Sequence, residues 1–147
     1  MGNLREVPLT NKHTEEGSNK RLNFVVSAMC GWRMTMEDAH IANPDFTKTC
    51  SLFAVFDGHG GAEVALFAKT FFESELLKNP NFAAKKYEAA LTETFYSLDR
   101  LLQTKEGEKE LKKFKRQAAE KENVQLDDGP ITAGKRSIIQ DVLLLFV

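Results

Sequence analysis

The stretch LFAVFDGHGG, residues 52–61, constrains this chain more than any other. From Ser51 to Phe56, Phe53 and Val55 alternate with Leu52, Ala54 and Phe56, so both faces are apolar and the segment reads as a buried strand. It runs without a spacer into a carboxylate, an imidazole and a set of glycines. Beyond them the period becomes helical, with Val64, Phe67, Ala68, Phe71, Phe72 and Leu76 at i, i+3, i+4, i+7, i+8 and i+12. Asp57 thus sits at a rigid strand end with its carboxylate able to reach solvent. Gly58 has no side chain, so its carbonyl can approach a hard cation. His59 carries an imidazole, a side chain able to donate a proton. Gly60 and Gly61 open a helix whose free N–H groups favour a nearby anion. The same residues also suit a purely structural turn with Asp57 as a helix cap.

The rest of the chain organises around this unit. Residues 1–22 are polar and carry Pro8, Gly17 and Ser18, which predicts a flexible N-terminal arm. Asn23 to Met29 predicts a strand with both faces at least partly covered, and Gly31 breaks it. Trp32 to His40 is a polar connection, and Ile41-Ala42 begins a short strand before the Asn43-Pro44-Asp45 turn. Asn79-Pro80-Asn81 ends the first helix, and Tyr87, Leu91, Thr94, Phe95, Leu98 and Leu102 trace a second. Residues 106–136 read as a charged insertion and loop. Leu111, Phe114 and Ala118 give only a thin seam there, among pairs such as Glu108 and Lys112. Ser137 to Val147 is a strand candidate.

A second group of polar residues precedes the glycine turn. Arg33 is followed by the adjacent carboxylates of Glu37 and Asp38. Oxygen-rich clusters suit Mg²⁺ or Mn²⁺, and an arginine fork suits a phosphate. Glu37 and Asp38 also fit a helix cap or a solvated surface.

Taken together, the two groups resemble the metal-dependent serine/threonine protein phosphatases of the PPM (PP2C-type) family. The resemblance rests on Gly31-Trp32-Arg33, on Met36-Glu37-Asp38-Ala39-His40, on LFAVFDGHGG, on the strand before them and on the helix ending FYSLDRLL, and it covers about residues 22–102. It implies an α+β fold, the N-terminal portion of a double β-sheet sandwich flanked by helices. It implies a phosphatase acting on phosphoserine and phosphothreonine in protein substrates through two Mg²⁺ or Mn²⁺ ions. Carried over by position, Asp57 bridges the metals and the Gly58 carbonyl binds one of them. Glu37 holds the second largely through water, and Asp38 supports the cluster. Arg33 grips the substrate phosphate, and His59 is the general acid. Two cations lower the pKa of a bridging water and clamp the phosphate for in-line attack without a phosphoenzyme.

The departures from the pattern set further expectations. The family's strand opening Gly-Ser/Thr-x-Ala has no counterpart after the second helix, and neither do its later Asp-containing metal motifs. Asp127-Asp128-Gly129 precedes the strand it would have to follow and is not expected to replace them. The expected organisation is therefore an arm over 1–22 and a truncated phosphatase domain over 23–147. Glu37, Asp38 and Asp57 offer fewer negative charges than two divalent ions bring, so one ion or none is an alternative occupancy. A catalytically dead fragment or pseudophosphatase acting as a binding module is the alternative function.

Composition narrows the partners. A net charge of -1 gives no electrostatic argument for nucleic acid. Cys30 and Cys50 are too few for a disulfide framework, and the N-terminus has no apolar signal-peptide run, which favours a cytoplasmic or nuclear location. Met1-Gly2 opens like a myristoylation site, but Glu6 stands where that pattern wants Ser or Thr, so peripheral membrane attachment through Gly2 is weakly supported.

Overall fold

The helices form where apolar residues recur at helical spacing. The computed structural model describes residues 4–122 and 142–146. In chain order the elements are β1 (Leu4–Leu9), β2 (His13–Ser18), β3 (Asn23–Ala28), β4 (Gly31–Arg33), β5 (Ala39–Asn43), β6 (Leu52–Phe56), α1 (Glu63–Lys78), α2 (Pro80–Ala83), α3 (Tyr87–Leu102), α4 (Lys105–Glu122) and β7 (Val142–Phe146). The chain divides into two compact units. The first takes the residues up to Met36, Ile41–Ala54 and the end of β7 from Leu144. The second takes Glu37–His40 and the described residues from Val55 to Leu143.

In the first unit, β2 and β3 pair antiparallel without a slip, from His13 opposite Ala28 to Ser18 opposite Asn23. Asn19 closes their hairpin: its Oδ1 accepts from the amides of Arg21 (2.8 Å) and Leu22 (2.9 Å). Its Nδ2 donates to the Pro44 carbonyl (2.8 Å) and to Asp45 Oδ1 (2.9 Å), and Arg21 Nη2 donates to the same carbonyl (2.9 Å). The hairpin is thereby fastened to the turn after β5. β1 pairs antiparallel with β4, Leu4 opposite Arg33 and Leu9 opposite Gly31, with a register shift between those positions.

These strands correct the expectation of an arm over residues 1–22. β2 is polar, and in β1 Leu4, Val7 and Leu9 are themselves exposed, so neither strand shows a buried hydrophobic alternation, and distant partners satisfy their backbone groups. The strand at Asn23 also differs from its expected two-sided cover. Phe24, Val26 and Ala28 are half-buried, with the Phe24 ring 5.4 Å from that of Phe53, whereas Val25 is 65% exposed. A third sheet has the order β5-β6-β7. The strand candidate near the C-terminus is present as β7, while Asp127, Asp128 and the loop around them lie outside the described residues, as does Gly2.

The second unit is built on α1. Phe67, Ala68, Phe72 and Leu76 are fully buried and follow the expected stripe. Phe72 stands between Phe56, at the end of β6 (ring centroids 5.5 Å apart), and Phe95 of α3 (5.2 Å). Thr94 is buried with Ala90 and Leu98 in α3, and its hydroxyl donates to the Ala90 carbonyl at 2.7 Å, so no polar group is stranded. Asn79 ends α1 and caps α2, its Oδ1 accepting from the Asn81 amide at 2.9 Å.

Helix α4 packs on both α1 and α3, which revises the reading of this segment as a solvated insertion. Leu111, Phe114 and Ala119 are buried. Gly107 makes the approach possible: a Cβ built there would strike the Leu101 carbonyl oxygen and lie 2.9 Å from Leu102 Cα. Thr104 starts the helix, its Oγ1 accepting from the Gly107 amide at 3.0 Å. Among the described residues, no helix is long and apolar enough to cross a membrane.

Gly107→Ala is therefore expected to destabilise the chain by about 1–3 kcal/mol through overpacking, against the gain of roughly 1 kcal/mol that alanine normally brings to a helix interior. Urea unfolding monitored by circular dichroism checks the sign. On the exposed side of α4, the Lys112 ammonium, 2.8 Å from Glu108 Oε1, holds the Glu108 carboxyl below its usual value. The pair's contribution is present above the unfolded carboxylate pKa and is lost as pH falls through the depressed folded value. In Lys112→Ala the NMR titration of Glu108 should move upward.

Candidate active site

Asp57 follows β6 directly and is exposed, as is His59. The hydrophobic anchor behind them is Phe56, 1% exposed and set against Phe72. The loop then needs Gly60 at φ 69° and Gly61 at φ 137° to turn into α1. The N-cap of α1 is Ala62, whose carbonyl accepts from the Leu66 amide at 2.9 Å, so Asp57 does not cap this helix. That removes the structural role that residue type and position alone would have allowed.

The second unit also contains Glu37 and Asp38, and there the turn meets them. A Cβ built on Gly58 would strike the Glu37 carbonyl oxygen, and it would lie 3.0 Å from Glu37 Cβ and 2.8 Å from the Gly61 carbonyl oxygen. Only glycine allows two backbone segments to approach so closely here. The peptide linking Asp57 to His59 therefore lies directly on the segment that carries the Glu37-Asp38 pair. Glu37 is half-buried and Asp38 exposed, and Ala39, which opens β5, is buried.

These residues supply hard oxygen donors of the kind that bind Mg²⁺ or Mn²⁺. Among the described residues, however, no group of three or more His, Cys, Asp or Glu side chains stands close enough together to hold a metal ion. The residues fit such an ion in chemistry but not in number.

Arg33 belongs to the first unit. It ends β4 and its side chain is exposed, while its backbone is firmly tied: its carbonyl accepts from Arg5 Nε at 3.0 Å and from the Cys30 thiol at 3.1 Å. Two residues escaped the sequence reading. Arg5 lies in a short stretch, broken by Pro8, whose apolar residues do not alternate as a strand requires. Glu63 is 6% exposed in the first turn of α1, and a Cβ on Gly61 would run into its carboxylate. The spacing of Glu63 from the glycines was a signal for a side chain folding back on the turn.

Comparison with known proteins gives the chain a family. The sequence profile of the family described as Protein phosphatase 2C matches residues 22–121. Protein phosphatase 2C 1 of Paramecium tetraurelia is 52% identical over 115 residues, which make up 78% of this chain and 38% of that protein. Probable protein phosphatase 2C 5 of the same organism is 49% identical over 115 residues, covering 78% and 39%. Probable protein phosphatase 2C 21 of Arabidopsis thaliana is 39% identical over 111 residues, covering 76% and 31%. The chain thus spans well under half the length of the curated relatives it matches. With α+β architecture, a glycine turn seated on a paired-acid segment, and a profile match across most of its length, the chain belongs to the protein phosphatase 2C family.

Proposed function

We propose that this chain carries part of the active site of a metal-dependent protein phosphatase that hydrolyses phosphoserine and phosphothreonine in protein substrates. The observation that carries the reading is the seat of Gly58 on the Glu37 main chain, which holds an acid-bearing segment on each side of one turn. In this reading Asp57 is the principal ligand of a Mg²⁺ or Mn²⁺ ion, joined by the Gly58 carbonyl and Glu37, with Asp38 supporting the cluster. Such an ion, when bound, makes a water more acidic and offsets the charge of the phosphate. His59 acts as general acid toward the departing seryl or threonyl oxygen, a task suited to an exposed imidazole beside the turn. Arg33 offers a planar fork that matches phosphate oxygens in pairs.

Glu37, Asp38 and Asp57 supply few charges for a divalent ion, so binding by this chain should be weak. Calorimetric titration with Mn²⁺ is expected to give a dissociation constant on the order of 10⁻⁴ to 10⁻³ M. Asp57→Asn should abolish it, and equal affinities in the two proteins would refute the assignment. For Arg33→Ala, affinity for a phosphothreonine peptide should fall by at least about tenfold, the worth of a hydrogen bond to a charged group, with Mn²⁺ binding unchanged. A loss of Mn²⁺ binding instead would make Arg33 a structural partner of the acids.

A further inference from the structure

Arg5 follows Leu4, the residue of β1 that stands opposite Arg33 of β4. Its guanidinium spans the end of β4: Nε donates to the Arg33 carbonyl at 3.0 Å and Nη2 donates to the Met34 carbonyl at 2.7 Å. One rigid fork thus holds two successive carbonyls at the point where the strand stops. The Cys30 thiol adds a second donor to the Arg33 carbonyl at 3.1 Å, and the Arg33 amide donates to the Cys30 carbonyl at 3.3 Å.

The backbone needs such a clamp. β4 has only three residues, and its ladder with β1 shifts register between the Leu4 and Leu9 positions, so regular pairing constrains Arg33 little. Arg5 itself is half-buried, whereas the Arg33 side chain is exposed. The two arginines are thus divided in labour: one spends its donors on main chain and the other presents its fork outward.

We infer that Arg5 is a positioning residue for Arg33, fixing the backbone from which the Arg33 guanidinium is presented to a phosphomonoester. The inference rests on the proposed role of Arg33 as the phosphate-gripping residue. Holding the Arg33–Met34 backbone in one conformation before binding lowers the ordering cost that the side chain would otherwise meet on binding. An arginine suits this better than a lysine, whose ammonium carries its donors on one rotating nitrogen rather than in a rigid planar fork.

Trp32, the one tryptophan of the chain, adjoins Arg33 and is 54% exposed, so its fluorescence reports on this site. The test titrates the full chain, in EDTA, with a phosphothreonine peptide lacking Trp and Tyr. Arg5→Ala is expected to weaken binding roughly 3- to 10-fold by loss of preorganisation. Arg5→Lys, which keeps the charge and guards against misfolding of the alanine variant, should weaken it as well. In the Arg33→Ala background, Arg5→Ala should change nothing further. Backbone amide exchange at residues 33–35 should quicken in both Arg5 variants, with exchange in α1 and α3 unaltered.

An undiminished effect of Arg5→Ala in the Arg33→Ala background would overturn the inference, since Arg5 would then meet the phosphate itself. Wild-type affinity in Arg5→Lys would overturn it too, leaving only a charge effect. Unchanged exchange at residues 33–35 would refute the clamp while leaving the role of Arg33 intact. If Arg33→Ala bound the peptide as tightly as the parent chain, or the parent chain did not bind it, the phosphate-gripping role would fail first and the inference with it.

Discussion

The close approach of Gly58 to the Glu37 main chain is the constraint on which the rest of the second unit depends. Two backbone segments distant in sequence can touch in this way only where one of them has no side chain. The contact seats the turn that follows β6 on the main chain of the acid pair that precedes β5. Buried residues of the same unit flank it: Phe56 anchors the end of β6, and Ala39 is buried at the start of β5. The family match, over residues 22–121, covers both segments.

Much of this architecture was legible in the residues. The stripes from Val64 to Leu76 and from Tyr87 to Leu102 repeat at helical spacing over several turns, and α1 and α3 follow them closely. β6 was legible because an apolar run ending at glycines has few alternatives. The N-terminal strands were not. His13 to Ser18 carries no apolar alternation, and its order comes from pairing with Val25, Val26 and their neighbours, a non-local term that no local pattern encodes. For α4, the thin seam of Leu111 and Phe114 was visible, but the close approach of Leu101 and Leu102 to Gly107 is a packing contact that no local pattern encodes.

The candidate site divides along the same line. Asp57, Gly58 and His59 could be singled out because the transition from strand to glycines is local, and Glu37-Asp38 because adjacent acids are conspicuous. Their approach to one another is a tertiary fact, visible only in the contact at Gly58. The fork of Arg5 on the Arg33 and Met34 carbonyls is of the same kind, because an arginine near a polar N-terminus looks like any solvated charge until its partners are seen.

The line of rings from Phe56 through Phe72 to Phe95 has a consequence for how this turn tolerates change. Because Phe56 immediately precedes Asp57, the position of the carboxylate is inherited from the way two helices settle against one strand end. Sites of this design cannot be tuned only by the residues that line them. Variation at aromatic positions in α3, far along the chain and without any chemistry of its own, is transmitted as small displacements of the turn. Change in the helical core and change in the placement of the Asp57 carboxylate are thus mechanically linked in this unit.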